Sequence, residues 1–158
     1  MPEYNRTLDF VMTQSDGTAF VVSATAYTAD DVVGGLGRVK TGSGGGMLLR
    51  GVSIRDTHKQ SEPYIIHIYR SEPSTIADAD PFAPTVADAD LEIGTVTINN
   101  ADYATDAGSS YSKAYKAIDK IEVRESSGGT LYVYLQCTAT PDYNAVTDVK
   151  VEFWYWMD

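Results

Sequence analysis

Apolar and polar residues alternate in short segments along most of this chain, and this alternation limits the fold more than any other feature of the sequence. The clearest segment, 131–138, places four apolar side chains on one side: Leu131, Val133, Leu135 and Cys137. Successive side chains of a β-strand point to opposite faces, so the pattern predicts a strand with one face in a core. Similar segments lie at 8–12, 19–25, 47–55, 64–70, 93–98, 117–124 and 149–155.

About eight such segments, separated by turn residues, predict an all-β chain folded as an antiparallel β-sandwich. Eight strands arranged as two Greek keys form a jelly roll, which is the version of the sandwich that we favour. The length of 158 residues fits a single domain. We assign 19–158 to the sandwich and 1–18 to an N-terminal arm or a first strand, with Asp16-Gly17 as a hairpin turn.

Residues 72–92 interrupt the strand pattern with three prolines, so we predict a long loop with one helical turn. Two Asp-Ala-Asp units, at 78–80 and 88–90, carry the oxygen ligands that calcium prefers. Their spacing matches no helix–loop–helix calcium site, and we interpret them as solvated. Residues 99–112 are polar and predict a second loop, while 34–37 and 41–46 are glycine-rich connections.

The acidic balance of the chain restricts its partners. A formal net charge of −10 repels phosphate backbones and anionic lipids, so we expect neither nucleic-acid nor membrane binding. No apolar run approaches the length of a membrane span, and the first residues lack the features of a secretion signal. These observations favour a protein made in a cytoplasm.

Residues suited to catalysis or metal binding are scarce. His58 and His67 are the two histidines and Cys137 is the one cysteine, which match no zinc spacing and allow no intrachain disulfide. Cys137 lies on the predicted core face, where a nucleophile could not reach a substrate. The glycine-rich segments fit neither a phosphate loop nor a dinucleotide-binding turn. We therefore predict no enzyme activity, no catalytic residues, no metal and no cofactor.

Large aromatic residues occupy the nominally outer side of two C-terminal strands. Tyr132 and Tyr134 alternate with one predicted core face, and Trp154 and Trp156 alternate with another. An uncovered apolar patch of this size is unusual in a monomer. The patch could be covered by loop 72–92 or 99–112, could line the core, could form a subunit or partner interface, or could stack against sugars.

Several short segments resemble small structural proteins of tailed bacteriophages. The longest is 22–35, Val-Ser-Ala-Thr-Ala-Tyr-Thr-Ala-Asp-Asp-Val-Val-Gly-Gly, and others lie at 88–91, 131–133 and 148–153. The resemblance implies a virion protein without catalytic residues. Some members of this group are head decoration, or cement, proteins with jelly-roll or related folds, which sit on capsids as trimers or dimers.

Our leading hypothesis is a capsid decoration protein on the virion surface, bound to the major capsid protein as a homo-oligomer, with a trimer favoured over a dimer. The predicted oligomer interface consists of Tyr132, Tyr134, Trp154 and Trp156, and the predicted capsid contact of Tyr4, Leu8 and Phe10. Two alternatives stay open: another virion component, in the tail or neck, and a carbohydrate-binding module for host attachment.

Deleting residues 1–7 is expected to weaken capsid binding without unfolding the domain, because this segment precedes the first predicted core strand. Cosedimentation with capsids measures the binding, and circular dichroism measures the fold. Unchanged binding by the truncated protein would reject the N-terminal contact.

Overall fold

The structure, a computed structural model, describes residues 8–14, 17, 19–40, 47–104, 108–123 and 129–157. Its strands are β1 (Leu8–Val11), β2 (Gly37–Lys40), β3 (Met47–Asp56), β4 (Tyr64–Tyr69), β5 (Glu92–Ile98), β6 (Tyr103–Ala104), β7 (Ser112–Val123), β8 (Thr130–Cys137) and β9 (Val149–Met157). A helix, α1 (Val86–Ala89), and a 3-10 turn, Asn100–Asp102, complete the regular structure in these ranges. Neither helical segment has the length or apolar character needed to cross a bilayer.

The strands form two antiparallel sheets, of order β1-β9-β3-β7-β6 and β2-β8-β4-β5. Their pairing is nested, since β4 pairs with β5, β3 with β7, β2 with β8 and β1 with β9, as in one long hairpin. Rolling up that hairpin adds the pairs β3 with β9 and β4 with β8. This arrangement is a jelly roll with β6 added at one edge, and it confirms the predicted antiparallel sandwich.

The inner faces of the two sheets share one core. The predicted inward face of β8 is confirmed, because Leu131, Val133, Leu135 and Cys137 are all buried. Val149, Val151, Phe153 and Tyr155 of β9 are buried in the same cluster. Burying one large apolar side chain contributes roughly 1.5–3 kcal/mol, so a core of this kind needs no disulfide to hold the sheets together.

The predicted hairpin around Asp16-Gly17 is wrong in its second strand. Residues 19–25 form no ladder, and Ala19 makes only an isolated bridge to Thr13. The amide of Thr13 donates instead to the carbonyl of Arg38, over 2.8 Å. Phe20 and Val22 are nevertheless buried in the core, so their alternation reflects side-chain burial without strand pairing. Asp16 lies outside the described residues.

Three further strands differ from the prediction. β2 lies between the two predicted glycine-rich connections and overlaps the first only at Gly37; no strand was predicted there, because four residues are too few to display alternation. β7 begins at Ser112, five residues before the predicted start of 117–124, and β6 lies inside the predicted loop 99–112. The predicted helical turn within 72–92 is confirmed by α1.

Residues 70–91, which connect β4 to β5 and are called the strap below, cover the outer face of the four-stranded sheet. Apolar side chains of the strap, including Ile76, Phe82 and Leu91, form a second cluster with the outward residues Tyr69 and Tyr134. A sheet with both faces covered buries apolar side chains on each side. The aromatic residues opposite the core face of β8 therefore lie in a second interior.

Backbone hydrogen bonds fix the strap to the segment that precedes β2. The amide of Val32 donates to the carbonyl of Asp80 over 2.8 Å, and the amide of Ala79 donates back to Val32 over 2.9 Å. The amide of Phe82 donates to the carbonyl of Asp30 over 2.7 Å. The strap forms no strand ladder, so its peptide groups need other partners, and these bonds supply them for residues 79–82.

Two of the four strap aspartates are structural acceptors. One carboxylate oxygen of Asp78 accepts from the Tyr27 hydroxyl over 2.8 Å and from the Gly34 amide over 2.7 Å. The buried Asp88 accepts from the amides of Ser74 and Thr85, and with Thr85 it forms the capping box of α1. The interpretation of these units as solvated is therefore wrong for Asp88, and no group of three metal-binding side chains occurs among the described residues.

The hydroxyl of Tyr134 joins the strap to the sheet. It donates to the carbonyl of Ser74 over 2.7 Å and accepts from the amide of Ile76 over 2.9 Å. The ring packs edge-to-face against Tyr69 and Phe82. One side chain thus satisfies two backbone groups of the strap while its ring fills the second cluster.

We expect Tyr134→Phe to lower the free energy of unfolding by about 1–3 kcal/mol, because it leaves two backbone groups without their partner. Amide exchange at Ile76 should accelerate more than exchange within β3. Tyr132→Phe is the matched control, since the Tyr132 hydroxyl makes no hydrogen bond within the described part of the chain. Urea unfolding and hydrogen exchange give the measurement, and equal losses in both variants would contradict the role of the Tyr134 hydroxyl.

Candidate functional site

The strap does not cover the outer face of the five-stranded sheet. This face is formed by the outward residues of β7, β3 and β9 and is called the open face below. Strand register arranges it in three rows, which are Lys113–Arg55–Lys150, Tyr115–Ser53–Glu152 and Ala117–Gly51–Trp154. Tyr115 keeps 57% of its surface exposed, more than any other tyrosine described. An aromatic side chain this exposed at the centre of a sheet face marks a candidate binding surface.

An aromatic pair occupies the middle of the open face. The rings of Tyr115 and Trp154 meet edge-to-face, with centroids 5.2 Å apart and planes inclined by 62°. Gly51 lies between their strands and makes room for this contact, because a Cβ there would lie 2.8 Å from the Tyr115 hydroxyl oxygen. The ammonium of Lys113 lies 5.7 Å from the centroid of the Trp154 ring, within cation–π range.

A row of three cations crosses the open face beside the aromatic pair. Arg55 of β3 is the direct register partner of Lys113 on one side and of Lys150 on the other. Like charges directly opposite each other destabilise a sheet. The only carboxylate in the three rows is Glu152, which forms a hydrogen-bonded ion pair with Lys150 and lies 3.7 Å from the ammonium of Lys113.

The neighbouring cations favour the ionised form of the Glu152 carboxyl. The hydrogen bond from Lys150, with the charges of Lys150, Lys113 and Arg55, holds the pKa of Glu152 below its ordinary value despite partial burial. One carboxylate is therefore shared among three cations, and the row retains excess positive charge. This local charge is opposite in sign to the net charge of −10.

The structure separates the residues of the predicted oligomer interface. Tyr132 and Tyr134 belong to the four-stranded sheet and Trp154 to the five-stranded sheet, so they form no common surface. Tyr134 is buried beneath the strap, and its predicted place in an exposed interface is wrong. Tyr132 is half-buried, with the Arg38 guanidinium 5.3 Å from its ring centroid. The side chain of Trp156 lies outside the described residues.

The predicted capsid contact falls mostly outside the described part of the chain. Tyr4 is among the residues that the structure does not describe, and Leu8 and Phe10 are described as backbone positions of β1. They pair with Tyr155 and Phe153 of β9, both of which are buried. Capsid contact through these residues stays a prediction.

Tyr115 was missed in the sequence because Lys116 interrupts the alternation of apolar and polar residues, so the strand was predicted to begin only at residue 117. Lys116 is the register partner of the buried Val52, which puts a charged residue where alternation requires an apolar one. Its ammonium lies 3.0 Å from both carboxylate oxygens of Asp102, and this pairing makes the inward position tolerable. A strand that begins before Lys116 could have been recognised from the alternation of Ala114, Lys116 and Ile118 with Lys113, Tyr115 and Ala117, if a paired lysine had been allowed at one core-facing position.

The residues considered for catalysis occupy structural positions. The two ring nitrogens of His67 lie 2.9 Å from a Glu92 oxygen and 3.0 Å from the side-chain oxygen of Gln136, and the ring stacks on Phe82. Burial raises the pKa of the Cys137 thiol to about 11, so the thiol stays protonated at neutral pH. Neither environment has the geometry of an activated nucleophile.

We expect Glu152→Gln to lower the free energy of unfolding at pH 7 by up to about 1 kcal/mol. Folding lowers the pKa of this carboxyl, so its contribution is present above the unfolded-state pKa of about 4.3 and is lost as pH falls through the folded-state pKa. The two proteins should therefore converge in stability at acid pH, once the pH lies below the folded-state pKa and the carboxyl is protonated in both states. Denaturant unfolding across pH measures this, with Asp119→Asn as a control, and a pH-independent difference would contradict the shared-carboxylate arrangement.

Comparison of the chain with protein-family models, with curated proteins and with solved structures gives no significant match.

Proposed function

We propose that this protein is a non-enzymatic decoration protein of a bacteriophage head, which binds the assembled capsid and stabilises the contacts between capsid subunits. The resemblance of segments such as 22–35 to phage structural proteins supports this function. The jelly roll agrees with it, although the same fold serves many other functions. The observation that carries the proposal is the open face, where the exposed Tyr115 packs on the half-buried Trp154 on the sheet that the strap does not cover.

The composition of the open face suits a protein partner. Tyrosine, tryptophan and arginine dominate the energetic centres of protein interfaces, usually inside a polar rim. Tyr115 and Trp154 form such a centre, and Lys113, Lys150 and Glu152 border it. β1 borders this centre on one side, since its Asp9 is the register partner of Trp154.

The proposed mechanism is thermodynamic linkage. A protein that binds the assembled lattice better than free capsid subunits stabilises the lattice by mass action. Repetition of weak contacts in a homo-oligomer, which we propose to be a trimer, adds avidity without any new contact chemistry. No residue needs to perform a chemical step for this function.

We expect Tyr115→Ala to weaken capsid binding about tenfold or more, because truncating an aromatic anchor at an interface centre costs at least about 1–2 kcal/mol. Fold stability should change little, since more than half of the side chain is already exposed. The assay is cosedimentation of the purified protein with capsids that lack it, with the native mass measured by light scattering.

Val86→Ala is the matched control for that experiment. Val86 is an apolar residue of α1 with 87% exposure, and it lies on the strap, on the other side of the sandwich. Its truncation should leave capsid binding unchanged. A wild-type protein that does not sediment with capsids would reject the decoration function, and labelled particles would then distinguish a tail or neck component from a head protein.

The carbohydrate-binding alternative draws support from the exposed ring of Tyr115. A sugar ring stacks on a flat aromatic surface, whereas the planes of Tyr115 and Trp154 are inclined by 62° and form no common platform. The geometry therefore favours a protein partner over a glycan. Glycan binding that Tyr115→Ala abolishes, with capsid binding absent, would reverse this preference.

A further inference from the structure

The row Lys113–Arg55–Lys150, called the cation row, has three positive charges, and the three rows of the open face contain one carboxylate, Glu152, to balance them. Lys113 and Lys150 both approach Glu152, whereas Arg55 forms no ion pair with the described residues. The Nε atom of Arg55 is buried and has no hydrogen-bond partner there. The charge of Arg55 acts on Glu152 only at longer range, and a buried donor without a hydrogen-bond partner beside two like charges costs stability.

Two further features lie beside Arg55. Ser53, the next outward residue of β3, is only 1% exposed, and its hydroxyl has no partner among the described residues. Arg55 and Lys150 also line a cavity of about 170 Å³ whose other walls include Met12 and Phe20. A largely apolar cavity with two cations on its wall accommodates a side chain that has an aliphatic stem and an anionic end.

We propose that the row Lys113–Arg55–Lys150 is a binding site for carboxylate side chains of the capsid surface, and that the open face is therefore the side of this protein that faces the capsid. This inference rests on the proposed function and names the chemistry of its partner. A carboxylate from the capsid would complete the ion pairing of Arg55, while the aromatic pair beside it supplies apolar contact area.

The choice of a protein carboxylate over a phosphate follows from the rest of the molecule. The net charge of −10 repels nucleic acids and anionic membranes at long range, and three cations on one face do not reverse that field. At contact distance the planar guanidinium of Arg55 matches a carboxylate with two parallel hydrogen bonds. A local cation row in an acidic protein also repels a second copy placed face to face, which disfavours a symmetric dimer through this surface.

The test is cosedimentation with capsids at low and high salt, for wild type, Arg55→Gln, Lys113→Gln and the double variant. We expect each single variant to bind about tenfold more weakly near 50 mM salt, the double variant more weakly still, and these differences to shrink near 0.5 M salt. Arg55→Lys should recover only part of the affinity, because lysine keeps the charge but not the paired hydrogen bonds.

Lys116→Gln is the matched control. It removes one positive charge from the same strand, but this lysine lies on the other side of β7 from Lys113 and is already paired with Asp102. It should bind capsids as wild type does. Thermal unfolding and light scattering of every variant keep folding and assembly separate from binding.

The possible results separate the two proposals. If wild type does not sediment with capsids, the decoration function fails and this assignment fails with it. If wild type sediments and the Arg55 and Lys113 variants bind equally well, only the carboxylate site is overturned. If those variants change the native mass instead of the capsid affinity, the row binds a neighbouring copy of this chain, which also overturns the assignment to the capsid.

Discussion

The attachment of the strap to the four-stranded sheet determines which surface this molecule offers to others. Apolar contacts and the paired hydrogen bonds of the Tyr134 hydroxyl hold residues 70–91 in place. One outer sheet face is thereby turned into interior, and the opposite face keeps its aromatic and charged side chains in contact with solvent. A two-layer sandwich thus acquires one closed side and one open side, although both sheets carry tyrosine or tryptophan on their outward faces.

Much of the fold was predictable because the alternation of apolar and polar residues is a direct consequence of strand geometry. The strands around Ile54, Ile68 and Val133 follow this rule, and each buries the side that the sequence indicates. The failures have local physical causes. Phe20 and Val22 alternate in burial without forming a ladder, and β2 is too short to reveal a period.

The candidate site was less predictable, because alternation identifies two faces but does not tell which one another segment will cover. Trp154 was correctly singled out as outward-facing, but the same reasoning placed Tyr134 on the surface although the strap buries it. The cation row was invisible in the sequence, since Arg55, Lys113 and Lys150 are far apart along the chain and meet only through strand register. Pairing partners in a jelly roll are non-local, so a single sequence does not reveal such rows.

The nested pairing of the strands also has a consequence for the order in which the protein is assembled. Among the nested pairs, β4–β5 spans the shortest stretch of chain and β1–β9 the longest. Loop-closure entropy rises with that separation, so topology favours early closure of the inner pairs and late closure of the outermost one. Of the described strands, β1 is made first, yet it can pair with β9 only after β9, which follows all the others along the chain, has been made. Until then β1 has no partner in its sheet, and the exposure of this apolar strand to aggregation or to chaperones follows from the topology.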